Sequence, residues 1–226
     1  MTMLDIAGDA RRAFDILKGG GIAILPMDVG YSLIGGGEAA LARIFDTKQR
    51  AASKLNAMVA DNEIHRELHV LDQRGYDIVE ALTRDHDLPL GAIAPARLDH
   101  PLIKAVSPET LKRSHRDGTI AMLLNAGPFH AEICRLSRAE AHPLFGSSAN
   151  LSLSGTKFRV EDIEPEIRAI AEITIDHGLR KYHPYRASST LLDLESLDVV
   201  RHGACFELIA DVILRSFGIE LAPASI

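Results

Sequence analysis

Three cations, Lys48, Arg50 and Lys54, fall within seven residues of one another. Arginine offers a planar fork to phosphate oxygens and lysine a mobile point charge. This spacing could therefore converge on one polyanion; read alone it is equally a solvated basic turn. The run Gly146-Ser147-Ser148-Ala149-Asn150-Leu151-Ser152 supplies hydroxyls and small residues that expose backbone N–H groups. Such a segment suits a phosphate or carboxylate, or simply a turn or helix cap. It lacks the G-x-S-x-G pattern of a serine-hydrolase elbow. A third group, Ser188-Ser189-Thr190 with Asp193, is followed by Arg201-His202-Gly203. Arg180, Lys181 and Arg186 are interleaved with Tyr182 and Tyr185, as a nucleic-acid or nucleotide contact would be, or a tyrosine-anchored surface loop. Gly19–Gly21 and Gly35–Gly37 fit neither a Walker A loop nor a dinucleotide-binding turn. His65 and His69 are four apart, but no ligand set of a metal site accompanies them, so they read as two surface histidines.

The elements that must carry these groups alternate between helical and strand periods, which argues an α/β protein. Asp9 is expected to cap a helix with apolar positions at Ala13, Phe14, Ile16 and Leu17, closed by Gly19–Gly21. Ile22–Pro26 reads as a buried strand stopped by proline. Helical spacing returns over 38–47, 74–84 and 129–139; Ala57–Ala60 and Thr119–Leu124 read as strands. Two further strands, Ser189–Leu194 and Val199–Arg201, precede a last helix from Cys205 to Phe217 that ends at Gly218. The 226 residues form one domain, with a loosely held tail after Leu221. With 46% hydrophobic and 25% charged residues, the composition excludes a disordered or collagen-like chain. No apolar run is long enough to span a membrane, and the start does not resemble a signal peptide, so a cytoplasmic location without membrane contact is expected. Cys134 and Cys205 are expected to be buried, reduced thiols. A net charge of −6 argues against a general nucleic-acid coat.

Taken in order, the motifs resemble the YrdC-like family of threonylcarbamoyl-AMP synthases over about residues 8–210. Gly20-Gly21-Ile22-Ala23-Ile24-Leu25-Pro26-Met27-Asp28-Val29-Gly30-Tyr31-Ser32-Leu33 is similar to the family's G-G-x-x-x-x-P-T-D-T-x-Y-G-L. Lys48, Arg50 and Lys54 match K-x-R-x-x-x-K, and Ser147–Ser152 matches [ST]-S-A-N-x-S. Ser188-Ser189-Thr190 with Asp193 matches P-S-T-V-V-D, and Arg201 with Gly203 matches R-x-G. The resemblance implies a twisted, mostly parallel α/β sheet flanked by helices, with a large concave face. It implies a nucleotidyltransferase that makes threonylcarbamoyl-adenylate and pyrophosphate from ATP, bicarbonate and L-threonine, for modification of a tRNA adenosine, with Mg²⁺ travelling on the ATP. On that footing Lys48 and Arg50 are the candidate catalytic residues. Lys54, Ser148, Asn150, Ser189 and Arg201 would bind nucleotide and phosphate, Asp28 and Tyr31 would line the small-substrate pocket, and Arg180 and Arg186 are candidate loop contacts; no protein metal ligands are expected. The alternative is a non-catalytic module binding double-stranded RNA or tRNA on the same scaffold. The chain departs from the pattern at Met27, Val29 and Ser32, and Leu123 stands where the family has an arginine. The nucleotide side is kept and the amino-acid or carboxylate side altered, which points to a divergent member. Arg180 or Arg186 is a candidate to supply the charge missing at Leu123.

Overall fold

The first helix starts earlier than the sequence suggests. Asp5 caps it, accepting from the Gly8 N–H at 3.0 Å, while Asp9 lies inside the first turn. The structure is a computed structural model that describes residues 4–49, 51 and 54–222. In chain order its elements are α1 (Ile6–Lys18), β1 (Ile22–Met27), β2 (Gly30–Gly35), α2 (Glu38–Thr47), β3 (Ala57–Val59), α3 (Asn62–Leu68), α4 (Gln73–Glu80), β4 (Leu90–Pro95), α5 (Pro101–Lys104), α6 (Pro108–Lys112), β5 (His115–Arg116), β6 (Thr119–Leu124), α7 (Pro128–Ala139), β7 (Leu144–Ser148), α8 (Pro165–Ala169), β8 (Ile173–Thr174), β9 (Leu191–Asp193), β10 (Val199–Arg201) and α9 (Phe206–Phe217). The last helix closes as expected on Gly218, in the left-handed conformation.

The strands form one sheet in the order β10-β9-β4-β6-β3-β7-β2-β1-β8, with β5 added to β6. The expected twisted α/β sheet flanked by helices is present. Strand direction is mixed: β1/β8, β3/β6 and β4/β9 pair in parallel and the other six pairings are antiparallel. Parallel pairing therefore does not predominate among these neighbours. Short connections are the physical reason, since the two residues Asp28 and Val29 between β1 and β2 leave room only for a hairpin.

Pro26 does not stop β1, which continues through it to Met27 opposite Gly30. Its missing donor removes no ladder bond, because β8 accompanies β1 only at Ala23 and Ile24. The curl of the sheet matters most for the site. Between β1 and β6 lie β2, β7 and β3, yet the Asp28 N–H at the end of β1 donates to the Ala126 carbonyl just past β6 at 2.8 Å. Only a sharply curled sheet brings these two strand ends together. Gly127 makes the approach possible: its φ is +100°, and a Cβ there would stand 2.4 Å from the Asp28 carboxyl carbon.

The helices cover the sheet through apolar stripes. α1 buries Ala10, Ala13, Phe14 and Leu17 and packs against α7 and β1. Glu140, just after α7, pairs with Arg11 at 2.7 Å and Lys18 at 2.6 Å, tying the two helices at one end. Both cysteines are free and buried. The histidine expectation is overturned, because His65 and His69 are 1% and 0% exposed. They lie 2.9 Å apart through their Nδ1 atoms, with His69 Nε2 donating to the Ile120 carbonyl of β6 at 3.0 Å. The sequence showed helical spacing around them but not the strand that covers them.

Candidate functional site

Lys48 ends α2 and turns inward, only 4% exposed. Its Nζ donates to Ser147 Oγ at 3.0 Å and to the Ser148 carbonyl. Its own carbonyl accepts from Ser152 Oγ at 2.7 Å. A lysine ammonium and the end of β7 are thus locked together across about a hundred residues of sequence. Asn150 is buried in the turn that follows. Its Nδ2 donates to the Leu151 carbonyl, and its Oδ1 has no partner among the described residues. A buried acceptor left open costs stability, so a donor arriving there would be bound with advantage. Lys54 is exposed. Arg50 lies outside the described residues.

The β1–β2 turn stands beside this group. Ser32 pairs with Ser148, and the Tyr31 carbonyl accepts from the Ala149 N–H at 2.8 Å. The Tyr31 ring is fully buried, and its hydroxyl is committed to Asp176 Oδ1 (3.0 Å), the Gly178 carbonyl (2.9 Å) and the His177 N–H (3.2 Å). Burial first, and then the Asp176 carboxylate, push the Tyr31 phenol above its ordinary range. Tyr31 therefore sits as a scaffold beneath the turn, with its phenol proton held.

Asp28 Oδ1 accepts from Arg180 Nη2 at 2.9 Å. The same guanidinium donates through Nε to the Met27 carbonyl (3.2 Å) and through Nη1 to the His177 carbonyl (3.1 Å). It also lies 6.0 Å from the centroid of the Tyr31 ring. Burial raises the Asp28 carboxyl above its usual range and outweighs the opposing pull of Arg180 and Lys181. Arg180 thus reaches the turn whose Asp28 N–H is bonded three residues beyond Leu123. Arg186, by contrast, is exposed and in the left-handed conformation.

Around this turn the backbone is strained at several non-glycine positions. Asp87 and Asn125 both have positive φ, and Asn125 Nδ2 donates to Asp87 Oδ1 at 3.0 Å. That bond, first, and then Lys181, hold the Asp87 carboxyl below its ordinary range. Asp87, Asn125, Asp176 and His177 were missed by sequence reasoning. Each takes part through backbone conformation or a distant partner rather than a local motif.

Ser189 and Arg201 meet at the β9–β10 end of the strand order. Arg201 donates to the Ser189 carbonyl at 2.8 Å through Nη2 and 3.2 Å through Nε, and to Ser189 Oγ at 3.4 Å. Gly203 lets the chain pass there, since a Cβ would stand 2.3 Å from the Ser188 carbonyl. The structure thus brings Lys48, Ser148 and Asn150 together, places Tyr31 next to them with Asp28 in the same β1–β2 hairpin, and joins Ser189 to Arg201. Among the described residues no group of three His, Cys, Asp or Glu side chains could hold a metal ion, and no helix is long and apolar enough to cross a membrane.

No curated protein matches the sequence. The chain is similar in structure to the hypothetical protein smu.1377c from Streptococcus mutans UA159, at 20% identity and a TM-score of 0.79, over 93% of each chain. It is similar to Sua5 of P. abyssi complexed with L-threonine at 21% identity and a TM-score of 0.75, over 98% of this chain and 61% of that one. To YciO of E. coli the values are 20% and 0.66, over 86% of this chain and 88% of that one. At these identities the likeness shows the fold. The Sua5/YciO/YrdC family model, described as telomere recombination, matches residues 15–203, and the chain belongs to that family.

Proposed function

We propose that this protein is an ATP-dependent synthase of the threonylcarbamoyl-adenylate type, with a modified small-substrate pocket, acting in tRNA modification. The observation that carries the reading is the Lys48 group: a buried ammonium fixed against Ser147 and Ser148, beside an Asn150 oxygen with no partner among the described residues. In this reading an amino acid and bicarbonate form a carbamate with loss of water. A carbamate oxygen then attacks the α-phosphorus of ATP, and the bond to pyrophosphate breaks. Such a transfer needs positive charge around the phosphates more than a nucleophilic side chain. Lys48 and Arg50 supply it, with Ser148 and Asn150 as hydrogen-bonding partners and Lys54 at the rim. Ser189 and Arg201 would meet the nucleotide from the far side. In this reading Mg²⁺ would travel on the triphosphate and neutralise phosphate charge there.

The experiment is calorimetric titration of ATP into the protein and into Lys48→Ala, with pyrophosphate release measured in the presence of bicarbonate and each amino acid in turn. The reading expects ATP to bind, Lys48→Ala to weaken it by tenfold or more, and pyrophosphate to appear with one small amino acid. Absence of ATP binding would refute it. Of the cations that the double-stranded RNA alternative would draw on, Lys48 and Arg180 are turned inward, whereas Lys54, Lys181 and Arg186 are exposed.

A further inference from the structure

Residues 177–186 cross the end of the β1–β2 hairpin without joining the sheet. The segment is fixed at both ends. His177 Nε2 meets Asp9 Oδ2 at 2.8 Å, and the Tyr185 hydroxyl donates to Glu207 at the start of α9. Its middle is open to solvent at Leu179, Lys181, His183 and Pro184, whereas Arg180 is buried. Three acceptors of the turn hold donors from this one segment. The Met27 carbonyl takes Arg180 Nε, Asp28 Oδ1 takes Arg180 Nη2, and the Asp28 carbonyl takes the Tyr182 N–H at 3.0 Å. The backbone of Gly127 also lies against the Asp28 carboxyl and leaves no space there even for a methyl group. The Asp28 side chain is 11% exposed, and Arg180 already holds its Oδ1.

A carboxylate flanked by backbone carbonyls is also what the ammonium of an amino acid requires. Resting on the function proposed above, we infer that residues 177–186 form a self-occupying strap, in which Arg180 fills the place at Asp28 that the ammonium of a small amino-acid substrate would take, and that this substrate binds only as the strap withdraws. The strap thereby sets the substrate affinity at Asp28, whose chain neighbours Met27 and Val29 are apolar and buried. Withdrawal breaks side-chain bonds and two strap backbone bonds, Arg180 N–H to Phe158 and Tyr182 N–H to Asp28, but no strand ladder. The bound and strapped states therefore compete for one carboxylate, and the observed affinity falls by the fraction of time the strap is open.

The test uses L-threonine as the probe, in two arms. In calorimetry, Arg180→Gln should bind L-threonine at least tenfold more tightly than the wild type, because the competing cation is gone. In limited trypsin digestion of the wild type, cleavage after Lys181 and Arg186 should accelerate when L-threonine is saturating, because binding displaces the strap. Threonine affinity that is unchanged, weaker or absent in a folded Arg180→Gln overturns the inference, as does a cleavage rate that threonine leaves unaltered. If Arg180→Gln does not fold, the wild-type digestion decides alone. The nucleotide reading fails separately: no ATP binding in the wild type refutes it, whereas ATP bound normally with threonine indifferent to Arg180 refutes only the strap.

Discussion

Three buried histidines make the fold sensitive to acid well above the carboxylate range. His65, His69 and His130 are each no more than 1% exposed. A carbonyl can only accept, so His69 carries its proton on Nε2, facing Ile120, and His130 carries its proton on Nε2, facing Leu123 at 3.0 Å. His69 Nδ1 must then accept from His65 Nδ1, which leaves His65 Nε2 a bare lone pair with no partner among the described residues. A second proton on either ring would place a charge in the core with nothing to receive it. Burial accordingly lowers the three groups to about 4 for His65, about 3 for His69 and about 4 for His130. The unfolded chain holds more protons than the folded one below its ordinary histidine value, so this stability is complete at neutral pH and drains as pH falls through about 6.5. At pH 5.5 each histidine removes about 1.4 kcal/mol, or about 4 kcal/mol for the three. In a chain of this length that is a fall in Tm on the order of 10 °C. Differential scanning calorimetry at pH 7.5, 6.5 and 5.5 reads it directly. A Tm that stays level down to pH 5, or resonances of His65, His69 and His130 titrating near 6.5, would refute the reasoning.

Lys48→Ala should weaken ATP by about 1.5–3 kcal/mol, the worth of a charge-assisted contact, read by calorimetry; equal affinity would remove Lys48 from the site. Gly127→Ala should destabilise by on the order of 2 kcal/mol or more in urea unfolding, because both its φ and the Asp28 carboxyl resist a Cβ. Asp5→Ala should cost about 1 kcal/mol through the lost cap, and Asp9→Ala should instead show its effect through His177. Glu140 is held down at about 2 by Lys18 first and then Arg11, so its contribution should vanish only as pH falls from about 4.5 toward 2, a window separate from that of the histidines.

Much of the scaffold was legible because it is local. The apolar stripe of α1, the run that became β6 and the glycine that ends α9 each announce themselves within a dozen residues, and the ordered motifs carried the family. What escaped was set by partners far away in sequence. β2 and β7 are rich in glycine and serine, poor strand formers in isolation, and are strands only because each is paired on both sides in the middle of the sheet. His65 and His69 looked like surface residues until β6 supplied a carbonyl to bury them against. Arg180 shows the same limit at the site. Its neighbours in sequence, basic and aromatic, describe an exposed loop reaching for a polyanion. Its neighbours in space are Asp28, Met27 and Tyr31, more than 140 residues earlier, and they convert it from an outward-facing cation into a buried partner of the β1–β2 turn. A motif preserves the residues that meet a ligand wherever the fold places them. Whether the chain itself already sits in the ligand's place is decided by the curl of the sheet, which no motif encodes.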